Sequence, residues 1–203
     1  MKELKLEPVE AEAATAMIAE IKPLLEGKQM DMSAMDIRAA SVSWYDEYKF
    51  YILQDHEQTR YMLYKPGDAE LLNWTNEILY RVNDKAPIKL DRKNVIAYAK
   101  FFFHYVRGQL GRFIIVEKPD DVAWLDNATP EEMQKVNDRL MPVTYKGIGR
   151  DNRYLLTASV VFKNALFKTN IRVASDGLME LTDEELLLED LNVPIDPPPP
   201  LEF

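Results

Sequence analysis

The sequence contains no cysteine and only two histidines in 203 residues. Disulfides and thiol nucleophiles are therefore excluded, and most zinc chemistry goes with them. Glycine is scarce, with 7 residues, and no complete nucleotide-binding loop is present. Gly147-Ile148-Gly149-Arg150 has two glycines and an arginine that could cradle a phosphate, but the remaining glycine and the lysine of such a loop are missing. A hairpin loop continuing through Asp151 and Asn152 is the simpler expectation. No apolar run approaches the ~20 residues needed to cross a bilayer. The opening Met1 to Pro8 lacks the apolar centre of a signal peptide. A soluble chain, located in the cytoplasm, is the expectation. Basic residues are absent after residue 175: Asp176 to Phe203 carries nine acids and neither lysine nor arginine. Those nine equal the whole net charge of −9, so residues 1–175 are formally neutral. The overall field disfavours nucleic acid as a partner.

What is present is ordinary for a globular protein: 47% hydrophobic and 29% charged residues. The length suits one sizeable core or two small lobes. The expected organisation is a single α+β domain over residues 1–192, with 1–88 and 89–192 as candidate lobes. Residues 193–203 form a Pro-rich tail of polyproline type.

The most apolar and aromatic stretch runs from Asp91 to Arg107 and on to Val116. Asp91 is placed to cap a helix. Val95, Ala99, Phe102, Phe103 and Val106 recur at helical spacing, and Tyr98, Phe101 and Tyr105 widen that face. Gly108 is placed to end the helix, and Phe113 to Val116 reads as a buried strand. The polar positions matter as much. Lys93, Lys100 and Arg107 are spaced by seven residues, and His104 falls on the same stripe. Lys89 to Arg112 holds six basic residues and one acid. The stripe reads in three ways: a cationic ridge for an anionic partner or ligand, a solvated face, or a structural face that meets the acidic C-terminal segment 176–203, with 183–190 as the acids that would lie across Lys100 and Arg107.

Elsewhere the periodicity predicts a helix over 9–22, ended or kinked by Pro23. Residues 28–36 are methionine-rich, with Ser33 and Asp36 as candidate caps and either core filling or an adaptable contact surface as their role. Alternating strands follow over 38–64, with turns near Asp46-Glu47 and His56. His56 between two acids reads as a solvated hairpin tip. Lys65-Pro66-Gly67 is a turn, and a helix from Asp68 to Val82 is expected. Asp120 and Asp121 are adjacent and would point apart in a strand, which weakens any metal reading. Thr129-Pro130-Glu131-Glu132 opens a short helix reaching about Met141. Strands are expected at 142–146, 154–162, 167–173 and 178–181. A last short helix is expected from Thr182.

The fold class is thus α+β, with antiparallel sheets built from meanders and hairpins and helices packed against them. The thin catalytic inventory and segregated charge point to a non-catalytic protein-interaction module such as an adaptor, a chaperone-like factor or an inhibitor. Lys93, Lys100, His104 and Arg107 are its candidate partner- or ligand-binding residues. No catalytic residue, metal ligand or cofactor is assigned. In element order alone the chain resembles cone-shaped nuclear-transport-factor-like or cystatin-like folds. That resemblance implies an alternative: a small-molecule-binding or enzymatic domain with a pocket near His104. An imidazole pKa of ~6.5 suits acid–base work, and close cationic neighbours would depress it. Nucleic-acid binding through Tyr98, Phe101 and Tyr105 is the weakest reading, because such aromatics more often belong to a core.

Overall fold

A computed structural model describes residues 4–27 and 30–196. The Pro-rich run 197–203 lies outside the described residues, as do Lys28, Gln29 and the side chain of Met32 in the methionine-rich segment. The fold is α+β, with two antiparallel sheets of five strands each and four α-helices among the described residues. The chain divides into two compact units. Among the described residues, the first takes in the chain up to Asn73 and Glu77–Lys89; the second takes in Trp74–Asn76 and the chain from Leu90 to Asp196.

In the first unit, strands β1 (Glu7–Pro8), β2 (Asp36–Ser41), β3 (Lys49–Gln54), β4 (Thr59–Lys65) and β5 (Asp68–Leu71) pair in chain order. Strand alternation puts Ile37, Leu53 and Met62 on one face. There they meet Met17, Ile21 and Leu25 of helix α1 (Ala11–Leu25), spaced at i, i+4 and i+8. The helix continues through Pro23 rather than stopping at Lys22. Burial of Leu25 holds the last turn, and the Glu26 amide closes it on the Lys22 carbonyl.

The predicted helix from Asp68 is instead the strand β5 followed by helix α2 (Asn76–Lys85). Pro66 and Gly67, the latter at φ +82°, make a two-residue hairpin that returns the chain onto β4 with Lys65 opposite Asp68. Glu20 of α1 accepts from the Gly67 amide at 3.1 Å and from the Tyr64 hydroxyl at 2.9 Å. Burial, followed by this carboxylate, pushes the Tyr64 phenol up to about 12. Lys85 of α2 donates to Asp68 at 2.9 Å and Glu70 at 2.7 Å, and Arg81 donates to Glu70 at 3.1 Å, tying α2 to β5. The short 3₁₀ turn Met32–Ala34 is capped by Asp31, not by Ser33.

The hairpin tip at His56 is organised by its neighbour. Asp55 is buried, and its carboxylate accepts from the amides of Glu57, Asp31 and Gln58 at 2.9, 2.8 and 2.7 Å. Those amide bonds hold its pKa below the usual carboxylate range.

In the second unit, β8 (Tyr154–Phe162) is the hub of the sheet. It pairs with β9 (Ala165–Val173) along its whole length and with β7 (Thr144–Ile148) at its start. At its end it pairs with β6 (Phe113–Ile115). Strand β10 (Met179–Leu188) completes the sheet against β9. The predicted helix from Thr182 is absorbed into β10. Asp183 takes φ +53° at a bulge, and Glu185 pairs with Lys168 across the ladder at 3.0 Å instead of turning back to cap Thr182. Helix α4 (Pro130–Asn137) starts as expected, with Thr129 and Glu132 forming a reciprocal capping box, but ends short of Met141. Helix α3 (Val95–Tyr105) buries Val95, Tyr98, Ala99, Phe101, Phe102, Phe103 and Tyr105.

The Asp55 knot carries a pH signature. A depressed folded-state pKa contributes stability that is complete above the unfolded value of ~3.9 and is lost as pH falls through the folded value. Asp55→Asn is expected to lower the midpoint of urea unfolding at pH 7 and to flatten the acid limb below about pH 4. A variant that keeps the wild-type acid limb would show that the carboxylate is not the group titrating there.

Candidate functional site

The predicted basic stripe requires one helix from Lys93 to Arg107, and α3 is shorter at both ends. Asp91 does accept from backbone amides, those of Lys93 at 2.7 Å and Asn94 at 3.0 Å, but in a turn that precedes the helix. Lys93 sits in that turn and is exposed. At the other end Val106 is extended (φ −115°, ψ 132°), and the Arg107 amide donates to the Trp74 carbonyl at 2.8 Å. Lys100 and His104 are thus brought together one turn apart on α3, whereas Lys93 and Arg107 lie off it. Gly108 does not act as a left-handed helix terminator. It pairs with Gly111 in a tight turn where a Cβ would come within 3.2 Å of the Gly111 carbonyl.

Two of the four residues hold carboxylates of the same chain. Lys100, whose side chain is 16% exposed, lies 2.8 Å from Glu117 in the connection after β6. The Glu117 carboxylate also accepts from the Val143 amide at 3.0 Å. Burial pushes the Glu117 pKa up, but the Lys100 hydrogen bond, the Val143 amide and the Lys100 charge outweigh it, and the net shift is downward. Arg107 grips Asp196, with Nε donating to the two carboxylate oxygens at 3.0 and 3.3 Å and Nη2 closing a second bond. The Arg107 hydrogen bond lowers the Asp196 pKa and raises that of the guanidinium. These acids come from the connection after β6 and from the C-terminal segment. Among 183–190, Asp183 and Glu185 engage Asn170 and Lys168 instead.

His104 is half-buried in the last turn of α3, its ring 4.7 Å from that of Tyr105 in an edge arrangement. Its carbonyl accepts from Arg112 Nη2 at 2.8 Å. Arg112 is buried, and its guanidinium lies over the Trp74 ring at 5.7 Å. Trp74 holds φ +69°, a left-handed conformation that costs an L-residue about 1–2 kcal/mol. Trp74 and Arg112 are missed by sequence reasoning because neither the backbone conformation nor the stacking has a local signature. Two cavities of this unit are lined by other residues than His104. One is an apolar cleft of about 30 Å³ beside Phe113, Phe162 and Phe167, and the other is an open groove of about 680 Å³ on the opposite sheet face.

The Arg107 corner gathers apolar groups. Phe113 and Phe162, paired across β6 and β8, stack at 4.3 Å with their planes 7° apart. A Cβ on Gly111 would lie 3.4 Å from the Phe162 ring and 3.8 Å from the Asp196 carboxylate. The aromatic pair and the ion pair are therefore neighbours across this glycine. Leu110 precedes Gly111 and is 75% exposed; Ile195 precedes Asp196 and is 58% exposed. Among the described residues no group of three or more potential ligands could hold a metal ion, and no helix is long and apolar enough to cross a membrane. No family model, curated protein or solved structure matches the chain.

The Lys100–Glu117 pair predicts an asymmetric response. Glu117→Gln leaves a largely buried lysine charge and is expected to cost about 1–2 kcal/mol, a figure reduced from that of a fully buried pair because Glu117 is 34% exposed. Adding Lys100→Met removes the largely buried positive charge and is expected to recover part of the loss, as read from urea unfolding of the single and double variants.

Proposed function

We propose that this protein is a non-catalytic interaction module that binds a protein partner through the corner built around Arg107 and Asp196. The observation that carries this reading is the exposure of Leu110 and Ile195 in the two segments that this ion pair joins. Large apolar side chains on a surface are individually unremarkable. Here they stand beside a stacked aromatic pair and a multidentate arginine–carboxylate contact. Protein interfaces concentrate these groups: an apolar centre to exclude water, an arginine held in one geometry, and a charged rim. A solvent-exposed ion pair adds little to stability, so its main effect is to hold the C-terminal segment and the Gly108–Gly111 turn in register. The complementary partner presents an apolar anchor flanked by polar groups able to share the guanidinium and the carboxylate. Of the four residues singled out in the sequence, Arg107 is central to this surface, while Lys100 supports the scaffold through Glu117.

The test is affinity capture from native lysate followed by mass spectrometry, with circular dichroism confirming that every variant is folded. Wild type and an Ile148→Asp control, altered at an exposed position on β7, are expected to retain the same partner. Leu110→Asp/Ile195→Asp is expected to lose it. Equal capture by all three proteins, or no specific capture by wild type, would remove the support for this surface.

A further inference from the structure

The groove of about 680 Å³ lies on the other face of the second sheet, at the opposite end of β8 from Phe162. Its floor comes from strand alternation. Leu155 faces Arg172 and Thr157 faces Asn170 across the β8–β9 ladder, so these four share one face. Thr157 donates to Asn170 at 3.0 Å, and Asn170 donates to Asp183 at 3.0 Å. Both walls are made by irregular strands. In β7 the register passes from Tyr145 opposite Leu156 to Gly147 opposite Leu155, leaving Lys146 as an extra residue. In β10 the bulge after Thr182 brings Asp183 to the groove. Bulges re-aim side chains that a regular ladder would direct elsewhere. Here one delivers a cation and the other a carboxylate to the same concavity.

The charges divide into committed and uncommitted groups. Arg172 donates to Asp151 and lies 3.6 Å from Glu180; Arg153 donates to Glu180 at 2.6 Å and lies 3.4 Å from Asp151. This quartet neutralises itself. Lys146 and Arg150 line the groove, are exposed, and have no ion pair among the described residues. Two cations with no ion pair among the described residues thus line one concave site in a chain of net charge −9. Gly149 lets the Asp151 carboxylate fold inward, since a Cβ there would meet it at 2.7 Å. That fold keeps Asp151 on Arg172, and Arg150 has no ion pair among the described residues.

We propose that this groove binds a phosphate-bearing small molecule, its anionic group held between Lys146 and Arg150. A dianion matches two cations, and arginine's planar fork suits phosphate oxygens. The volume falls in the range of small-molecule sites. Leu155 provides an apolar surface for the body of the ligand. Asp183 accepts from a hydroxyl or amino group at its far end, the polarity that nucleotides and sugar phosphates share. This site is independent of the Arg107 corner.

The experiment is a titration of the ¹⁵N-labelled intact chain with inorganic pyrophosphate and with AMP, followed by NMR at low salt. Both probes are expected to shift the amides of Lys146 and Gly149 to Asp151 saturably. Lys146→Ala/Arg150→Ala is expected to weaken both by about tenfold or more. Asp183→Asn is expected to weaken AMP and leave pyrophosphate unchanged. Absence of saturable shifts at millimolar concentration, shifts spread over other basic positions, or binding unaffected by the double variant would each overturn the proposal.

Discussion

The second unit depends on one ladder, the register of β8 with its neighbours. Leu156 to Val161 is buried residue after residue, on both faces of the strand. Such a strand has no solvent face on which to satisfy its backbone, so its amides and carbonyls must pair within the sheet. The nine-residue register with β9 occupies one edge, and β6 and β7 divide the other. A slip of one residue in this ladder would exchange Thr157 and Ser159 with Ala158 and Val160, placing polar groups in apolar packing and apolar groups in the groove. The Phe113–Phe162 stack and the Thr157–Asn170 contact exist because this register is kept.

The uneven charge of the sequence is resolved locally. Lys100 and Arg107 meet Glu117 and Asp196, so two charges of the basic region are paired within the chain. What remains at the surface is sorted by the sheet: an apolar corner around one ion pair at the end of β8, and a polar groove near its beginning with two cations that have no ion pair among the described residues. They lie on opposite faces because successive side chains of a strand point in opposite directions.

Elements with strong local chemistry were legible in the sequence. Strands β2 to β4 of the first sheet and β8 and β9 of the second follow from alternation, and the start of α4 from the Thr129–Glu132 capping box. The α+β class follows from the mixture of the two periods. The misreadings have a common cause. Asp68-Ala-Glu-Leu and Thr182-Asp-Glu-Glu have good helix-start chemistry, yet both segments follow a tight turn that brings a neighbouring strand within pairing distance. Backbone pairing to that strand then outweighs a local cap. Pro23 failed as a stop for the converse reason, since Leu25 gains more from burial than the last turn loses. Of the candidate site residues, Lys100 and His104 were correctly placed on one helix. Asp196 lies in the acidic segment 176–203 that the charge segregation set against the basic helix, whereas Glu117 was not legible, because its contact with Lys100 depends on how the connection after β6 folds.

The sequence alone determined the chemistry this protein can draw on. With no cysteine and two histidines, its polar work falls to carboxylates, lysines, arginines and hydroxyls, and that holds for any fold. It also determined where α4 and several of the strands begin, because alternation, proline and capping act within a few residues. Only the tertiary structure decided which charges stay available. Lys100, Arg107, Lys146 and Arg150 are alike as charged residues in the sequence. Among the described residues the first two are paired and the last two have no ion pair, because pairing depends on which distant carboxylate the folded backbone brings within about 4 Å, where the Coulomb term becomes appreciable.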